Sequence, residues 1–248
     1  MTHLQIHLHI GSCNEGDIIH IRSISAFTGR VLRFWKREGK QMADSKKVLE
    51  AIMAIGRKME EEKEYLTELD QPIGDSDHGI NLARGFGAVQ DKLPAMEGKD
   101  IGTILKTVGM TLVSTVGGAS GPLYGTAYMK AGMVLAGKEE MGLPEFLEAV
   151  KAAVEGVEQR GKAKLGEATM LDAMIPSLEA MKAAAEDGKP FGDVLEAGVK
   201  AAWAGAEHTK DLIATKGRAS YVGQRGLGHQ DPGATSYCYM LEEIAKLA

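Results

Sequence analysis

The chain of 248 residues contains little cysteine and few aromatic side chains. Its two cysteines, Cys13 and Cys238, form no CxxC pair, which argues against a disulfide scaffold and favours a reducing, cytoplasmic compartment. Aromatic residues make up only 5% of the chain, whereas alanine, glycine, leucine and methionine are abundant. This balance favours close-packed helices over a β sandwich.

Long apolar runs are missing as well. No stretch reaches the roughly 18 apolar residues that a membrane span needs. The amino terminus also lacks the basic-then-apolar order of a secretory signal. We therefore expect a cytoplasmic protein with no membrane partner.

An excess of positive charge is absent from the main part of the chain. The net charge is -5, but residues 1–41 hold six basic and three acidic residues, a net charge of +3. The remainder therefore carries -8, which argues against direct, nonspecific binding to nucleic acid.

Residues 1–41 differ in pattern from the rest of the chain, and we interpret them as a weakly ordered amino-terminal extension. They hold four of the seven histidines and show poor periodicity. Alternate spacing could place His3, His7 and His9 on one strand face as a metal site. The apolar residues between them fit an ordinary strand equally well, so we predict no metal there.

From residue 42 the pattern is helical almost throughout. Asp44 or Ser45 is a candidate N-cap, and Val48, Ile52, Ile55 and Met59 form one apolar stripe. Clusters of glycine and proline divide the rest. The predicted helices cover residues 44–66, 79–92, 100–114, 118–136, 143–161, 169–186, 190–213 and 232–246. Short connections between them predict one all-α domain over 42–248, folded as an up-and-down bundle or barrel.

Three aspartates, Asp70, Asp75 and Asp77, lie in one short turn between the first two predicted helices. Carboxylates so close repel one another unless cations lie between them, and oxygen ligands suit Mg²⁺. Magnesium usually shares its shell with a substrate's phosphates. The turn therefore predicts metal-bridged nucleotide binding. The alternative is a solvated acidic turn in which Asp77 caps the next helix.

A glycine-rich segment over residues 114–126 could bind those phosphates. Small residues around a helix start leave backbone N–H groups free to approach phosphate oxygens, and Ser120 adds a hydroxyl donor. The segment is neither a Walker loop nor a Rossmann fingerprint. Its glycines could instead serve close helix–helix contact.

A long irregular loop over residues 217–234 is the third candidate, since loops of this length are usually functional or disordered. Arg218 offers a permanent forked cation suited to phosphate. Asp231, with Pro232 and Gly233 after it, fits an N-cap before a proline at the first helical position. Contact of Asp231 with a sugar is an equally open interpretation.

Together these motifs identify a family resemblance. They are Leu66-Thr67-Glu68-Leu69-Asp70, Gly74-Asp75-Ser76-Asp77-His78-Gly79, Gly117-Gly118-Ala119-Ser120-Gly121-Pro122-Leu123-Tyr124-Gly125, Thr169-Met170-Leu171-Asp172-Ala173, Gly217-Arg218-Ala219-Ser220-Tyr221 and Gly228-His229-Gln230-Asp231-Pro232-Gly233-Ala234. In order and spacing, residues 42–248 resemble the nucleotide-binding L subunit of dihydroxyacetone kinase.

The resemblance implies an eight-helix antiparallel barrel with ADP, or ATP when phosphorylated, bound at one end. Asp70, Asp75 and Asp77 would then hold two Mg²⁺ ions and act with Arg218 in catalysis. Cofactor contacts are implied for His78, Gly118, Ala119, Ser120, Gly121, Thr169, Met170, Leu171, Arg218, Asp231 and Gly233. One departure is visible: many members have Asp-Lys where this chain has Glu167-Ala168.

The resemblance also separates two subtypes. ATP-dependent members fuse this domain behind a dihydroxyacetone-binding domain, which 41 residues cannot build. We therefore expect the phosphoenolpyruvate phosphotransferase-dependent type, a phosphotransferase subunit whose bound ADP relays phosphate from a phosphohistidine on an M subunit to dihydroxyacetone on a K subunit. Alternatives are a directly ATP-dependent kinase subunit and a nucleotide-sensing coregulator of a transcription regulator. A homodimer stays open.

Overall fold

The structure, a computed structural model, describes residues 42–248. The predicted extension at 1–41 and the histidines considered there lie outside the described residues. No helix in the described part of the chain is long and apolar enough to cross a membrane.

The described residues form nine α-helices joined mostly by short connections. These are α1 (Ser45–Glu61), α2 (Lys63–Asp70), α3 (His78–Gln90), α4 (Ile101–Thr115), α5 (Ser120–Val134), α6 (Leu143–Gly161), α7 (Leu171–Glu186), α8 (Phe191–His208) and α9 (Pro232–Ala245). Two strands, β1 (Ala43–Asp44) and β2 (Glu140–Met141), pair antiparallel. Short 3-10 helices cover Leu93–Met96, Thr209–Asp211, Arg218–Tyr221 and Gly223–Gly226.

The helix starts depend on local chemistry. Asp44 accepts a hydrogen bond from the backbone N–H of Lys47 at 2.8 Å and so caps α1, as the sequence predicts. The predicted stripe Val48, Ile52 and Ile55 is buried along that helix. Burial of such apolar side chains is what drives these helices together.

Helices adjacent in sequence pack against one another in a closed order. The contacts run from α1 to α3, α4, α5, α6, α7, α8 and α9, and α9 returns to α1. Buried leucine, isoleucine, valine and methionine side chains fill the space between them. The all-helical prediction is confirmed; this order of contacts is the one an up-and-down barrel requires, and the barrel itself stays a prediction.

Helices α4 and α5 approach closely through glycines. A Cβ at Gly109 would lie 2.6 Å from the carbonyl oxygen of Gly125, and one at Gly102 would lie 2.7 Å from that of Gly132. Only residues without a side chain permit such a crossing. This contact holds the segment between α4 and α5, which carries the glycine-rich motif.

Several helix boundaries differ from the predicted ones. The helix predicted over 44–66 is divided at Glu62, and its second part, α2, runs on to Asp70. The helix predicted over 190–213 ends at His208, where 3-10 geometry begins. Helical periodicity does not distinguish α from 3-10 turns over so few residues, so the sequence does not specify these ends.

Candidate functional site

The aspartate turn folds back on itself around Asp70. This residue is the last of α2 and only 8% exposed, and its Oδ2 accepts the backbone N–H groups of Asp77 at 2.9 Å and His78 at 3.3 Å. A Cβ at Gly74 would lie 1.9 Å from Asp70 Oδ1, so only glycine fits there. The turn is therefore built around a buried carboxylate.

The three predicted carboxylates meet. One oxygen from each of Asp70, Asp75 and Asp77 lies within 4.8 Å of the others. Burial and the neighbouring charge of Asp77 raise the pKa of Asp75, while the guanidinium of Arg218 opposes that shift. Asp77 occupies the N-cap position of α3 but makes no side-chain capping bond, so the capping alternative is not what the structure shows.

Arg218 lies beside this cluster. Its Nε is 2.7 Å from Asp75 Oδ2, and its side chain is 64% exposed. The guanidinium has further N–H donors besides this one, and most of the side chain is exposed. Arg218 can thus contact an acid group and a phosphate at the same time.

The cluster opens into a cavity of about 300 Å³. The lining includes Asp70, Asp75, Asp77, His78, Gly118, Ala119, Ser120, Thr169, Met170, Leu171, Arg218, Asp231 and Gly233, every predicted site residue but one. The exception is Gly121, which lies behind the wall. A Cβ there would be 2.3 Å from the carbonyl oxygen of Val116, so Gly121 lets α5 start against the preceding loop.

One end of the cavity is suited to an anion. The loop before α5 carries Gly118 at φ +64, a conformation that glycine adopts easily, and Ala119 stands at the N-cap without a capping side chain. The first N–H groups of α5 are consequently available, and the helix dipole favours negative charge. Ser120 adds its hydroxyl at the same place.

A buried hydrogen-bond network positions the hydroxyl of Ser120. The Oγ of Ser120 lies 3.1 Å from Nδ1 of His78, whose Nε2 lies 3.0 Å from Oγ of Ser236. The hydroxyl of Tyr124 is 2.7 Å from that same Oγ and donates to the carbonyl of Gly233 at 3.0 Å. Burial lowers the pKa of His78 to about 4, so the ring is neutral at pH 7. With both nitrogens engaged, His78 positions Ser120.

The opposite wall is a turn held by one buried carboxylate. Asp172, only 2% exposed, accepts the backbone N–H of Gly166 at 2.6 Å and that of Thr169 at 2.8 Å. Ala168 within this turn adopts φ +54, which few residues other than glycine do. Met170 and Leu171 come directly after the turn, so Asp172 fixes the apolar side of the cavity.

Asp231 is the N-cap that the sequence predicts, and its contact with a sugar stays a prediction. Its Oδ2 accepts the N–H of Ala234 at 2.7 Å, which makes it the N-cap of α9, and it also lines the cavity. Burial, strengthened by the charges of Asp172 and Asp70, raises its pKa to about 7. Asp231 is therefore an N-cap whose ionised form is destabilised by its surroundings.

Sequence reasoning missed several wall residues. Arg160 and Lys216 bring further cations, and Leu123, Val157 and Ala163 bring apolar surface. The position of Lys216 beside Gly217-Arg218 was an available signal. Val157 is buried in the helical core and also reaches the cavity, and only the tertiary structure shows the second role.

Comparison with known proteins identifies the family. The family model described as the DAK2 domain matches residues 72–246. The chain belongs to the DAK2 domain family. Among the curated DAK2 relatives, the ADP-binding subunit DhaL of the PEP-dependent dihydroxyacetone kinase of Escherichia coli K12 is 46% identical, covering 75% of this chain and 89% of its own length. The corresponding subunit of the PTS-dependent kinase of Lactococcus lactis is 40% identical, over 80% of this chain and 95% of its own.

The solved structures agree on the fold of this DAK2 chain. The dihydroxyacetone kinase of C. freundii in complex with AMP-PNP and Mg²⁺ superimposes with a TM-score of 0.64 at 22% identity, covering 99% of this chain and 38% of that one. At this identity the match supports the fold alone. The predicted family is confirmed, and with it the enzyme class, since the curated relatives named above are subunits of a phosphotransferase.

Proposed function

We propose that this chain is the ADP-binding subunit of a dihydroxyacetone kinase that takes its phosphate from the phosphoenolpyruvate phosphotransferase system. The observation that carries the proposal is the meeting of three carboxylates within 4.8 Å at the mouth of a cavity of about 300 Å³. The similarity to free-standing ADP-binding subunits over most of the chain supports it.

The three carboxylates suit magnesium, and the proposal takes the number of ions, two, from the family resemblance. Asp70, Asp75 and Asp77 supply only oxygen ligands, which Mg²⁺ prefers, and their mutual repulsion is relieved by cations. When bound, the ions would neutralise charge on the nucleotide's phosphates.

The remaining groups bind and orient the nucleotide. The N–H groups at the start of α5 and the Ser120 hydroxyl line the cavity and would bind the phosphates, together with Arg218. The walls around Met170 and Leu171 would receive the base, and Asp231 and Gly233, which also line the cavity, would contact the sugar. Phosphoryl transfer depends mainly on positioning and charge neutralisation, so no nucleophile is required from this chain.

The partners in this proposal follow from the resemblance to the phosphotransferase-dependent kinases. The nucleotide held by these residues would supply the relay: it would accept a phosphoryl group from a phosphohistidine on an M subunit, freeing the histidine, and pass it to a hydroxyl of dihydroxyacetone on a K subunit, which regenerates ADP. The cavity is open to solvent at the acid cluster, where Asp75 is 34% exposed and Arg218 is 64% exposed. Donor and acceptor can therefore approach the phosphate end in turn.

The test is retention of ADP. Protein purified without added ligand in Mg²⁺ buffer should release ADP on denaturation, as identified by mass spectrometry, and EDTA should strip it beforehand. Asp75→Asn should weaken ADP binding on the order of 100-fold, because a charged partner in a paired cluster is lost. The matched control is Asp187→Asn at an exposed helix end.

Equal ADP content in Asp75→Asn and the wild type would refute the metal assignment. Rapid loss of nucleotide on gel filtration, with activity restored by ATP alone, would favour a directly ATP-dependent subunit. Recovery of a DNA-binding protein without a K subunit in a pull-down would favour the coregulator.

A further inference from the structure

Two separate segments of the chain meet at the wall of the cavity. One is the turn over residues 162–170, which contributes Ala168, Thr169 and Met170, and the other is the segment over 212–219, which contributes Lys216, Gly217, Arg218 and Ala219. The second segment is mostly irregular and carries Arg218, which the function proposed above assigns to the phosphates. The contacts between the two segments therefore bear on how firmly Arg218 is positioned.

Glu167 joins them through both its side chain and its backbone. Its Oε1 accepts the hydroxyl of Thr215 at 2.7 Å and lies 3.6 Å from Nζ of Lys216. Its carbonyl oxygen accepts the backbone N–H of Thr215 at 3.4 Å. Glu167 therefore makes three contacts with two neighbouring residues of the segment over 212–219.

Two carboxylates hold the turn that carries Glu167 through hydrogen bonds to its backbone. Glu167 Oε2 accepts the backbone N–H of Lys164 at 2.6 Å, and Asp172 binds the turn from below through Gly166 and Thr169. Hydrogen bonds to Thr215 and Lys164 lower the pKa of the Glu167 carboxyl, which therefore stays ionised. Glu167 is thus a fixed, charged anchor.

The other fastening of the segment is the pair between Arg218 and Asp75. In the proposed function Asp75 ligates a metal, so its carboxylate is shared and holds Arg218 less firmly. Among the described contacts, Glu167 is then the remaining side chain that ties residues 215 and 216 to the turn over 162–170.

We propose that Glu167 is a positioning residue that fastens the segment 212–219, and with it Arg218, to the turn over 162–170 and so slows the release of a nucleoside diphosphate. The inference rests on the function proposed above. Movement of this segment away from the turn would withdraw Arg218 from the phosphates, and the same movement breaks the Glu167 contacts. The effect should fall on the dissociation rate, because the conformation in which the segment has moved away has already lost these contacts.

Dissociation is measured by stopped flow, with a fluorescent ADP derivative displaced by excess ADP in Mg²⁺ buffer. Glu167→Ala should raise the dissociation rate roughly 3- to 10-fold, the factor expected for one or two modest hydrogen bonds. Glu167→Gln keeps an acceptor for Thr215 but loses the charge facing Lys216, so its increase should be smaller. Glu179→Ala, which removes an exposed pair with Lys182 at the same 3.6 Å separation, is the matched control.

A double-mutant cycle separates positioning from general destabilisation. Thr215→Val removes the hydroxyl donor with little change of shape and should raise the rate alone, yet add nothing in the Glu167→Ala background. Additive effects, or a wild-type rate in Glu167→Ala, would overturn the inference.

Hydrogen exchange of the nucleotide-free protein gives a readout that does not involve ADP. Amides of residues 212–217 should exchange faster in Glu167→Ala than in the wild type, and unchanged exchange contradicts the fastening. Wild-type protein that binds no ADP derivative would refute the proposed function even where this exchange difference is found.

Discussion

Asp231 shows at the residue scale how a site residue departs from its ordinary chemistry. It caps α9 through Ala234, yet burial among other carboxylates raises its pKa to about 7. A group whose pKa is raised on folding stabilises the protein fully below its ordinary value of 3.8, and that contribution is lost as the pH rises through about 7.

Asp231→Asn should therefore stabilise the metal-free protein at pH 8 by roughly 2 kcal/mol and change little at pH 4, because asparagine caps a helix without charge. Thermal unfolding in EDTA between pH 4 and pH 8 measures this. Asp100→Asn at the N-cap of α4 is the control: hydrogen bonds to Thr103 lower the pKa of Asp100 to about 2, so its carboxylate stays charged from pH 4 to pH 8 and the effect of this variant should not change with pH. A pH-independent effect of Asp231→Asn would contradict the prediction.

The buried hydrogen-bond network that links Ser120 to Tyr124 through His78 and Ser236 gives a second prediction about single residues. Tyr124→Phe removes a buried hydroxyl that contacts Ser236 at 2.7 Å, so it should cost about 1–2 kcal/mol of stability. It should also weaken ADP binding a few-fold, since Ser236 holds His78 and His78 holds Ser120.

The binding effect should vanish when Ser120 is first replaced by alanine, which calorimetric titration with ADP can establish. Tyr128→Phe, one turn along the same helix, is the control. Equal losses of affinity with and without Ser120 would show that Tyr124 acts through general packing.

At the scale of secondary-structure elements, the crossing of α4 and α5 positions the start of α5 at the site. A Cβ added at Gly109 would lie 2.6 Å from the carbonyl oxygen of Gly125. A side chain at this position must therefore push the two helices apart. We expect Gly109→Ala to destabilise the protein by about 2–3 kcal/mol and to weaken ADP binding, because the loop before α5 moves with the helix.

Gly87→Ala in α3 is the matched control, because nothing lies within 4 Å of the added methyl group. Alanine is the better helix former by about 1 kcal/mol, so this variant should be more stable than the wild type. Urea unfolding of both variants gives the comparison, and a stable Gly109→Ala would show that the crossing can relax.

Ligand binding should stabilise the whole molecule because the cavity walls come from distant parts of the chain. The aspartate turn, the start of α5, the 162–170 turn and the segment before α9 all line it. ADP with Mg²⁺ at about 100 times its dissociation constant should add about 2.7 kcal/mol, and hence raise the Tm by roughly 5–10 °C.

EDTA should remove that gain, and AMP should give less of it because it lacks the β-phosphate. Differential scanning fluorimetry with each ligand measures these shifts. An equal shift for ADP in the presence and absence of metal would contradict the assignment of the acid cluster.

The sequence by itself determined the helical class, most helix positions and the residues of the acid cluster. Those features depend on local pattern: apolar stripes specify helices such as α1, and Asp70, Asp75 and Asp77 share one short turn with the glycine that its bend requires. Family motifs extended the prediction to the cavity lining.

The tertiary structure alone decided which residues face one another across long sequence distances. Nothing local places Glu167 beside Thr215, Arg218 beside Asp75, or Ser236 behind His78. It also gave Asp231 its raised pKa, because burial and nearby charge depend on how the helices pack. Pairwise contact and desolvation are properties of the folded chain, so no pattern of neighbours in sequence can contain them.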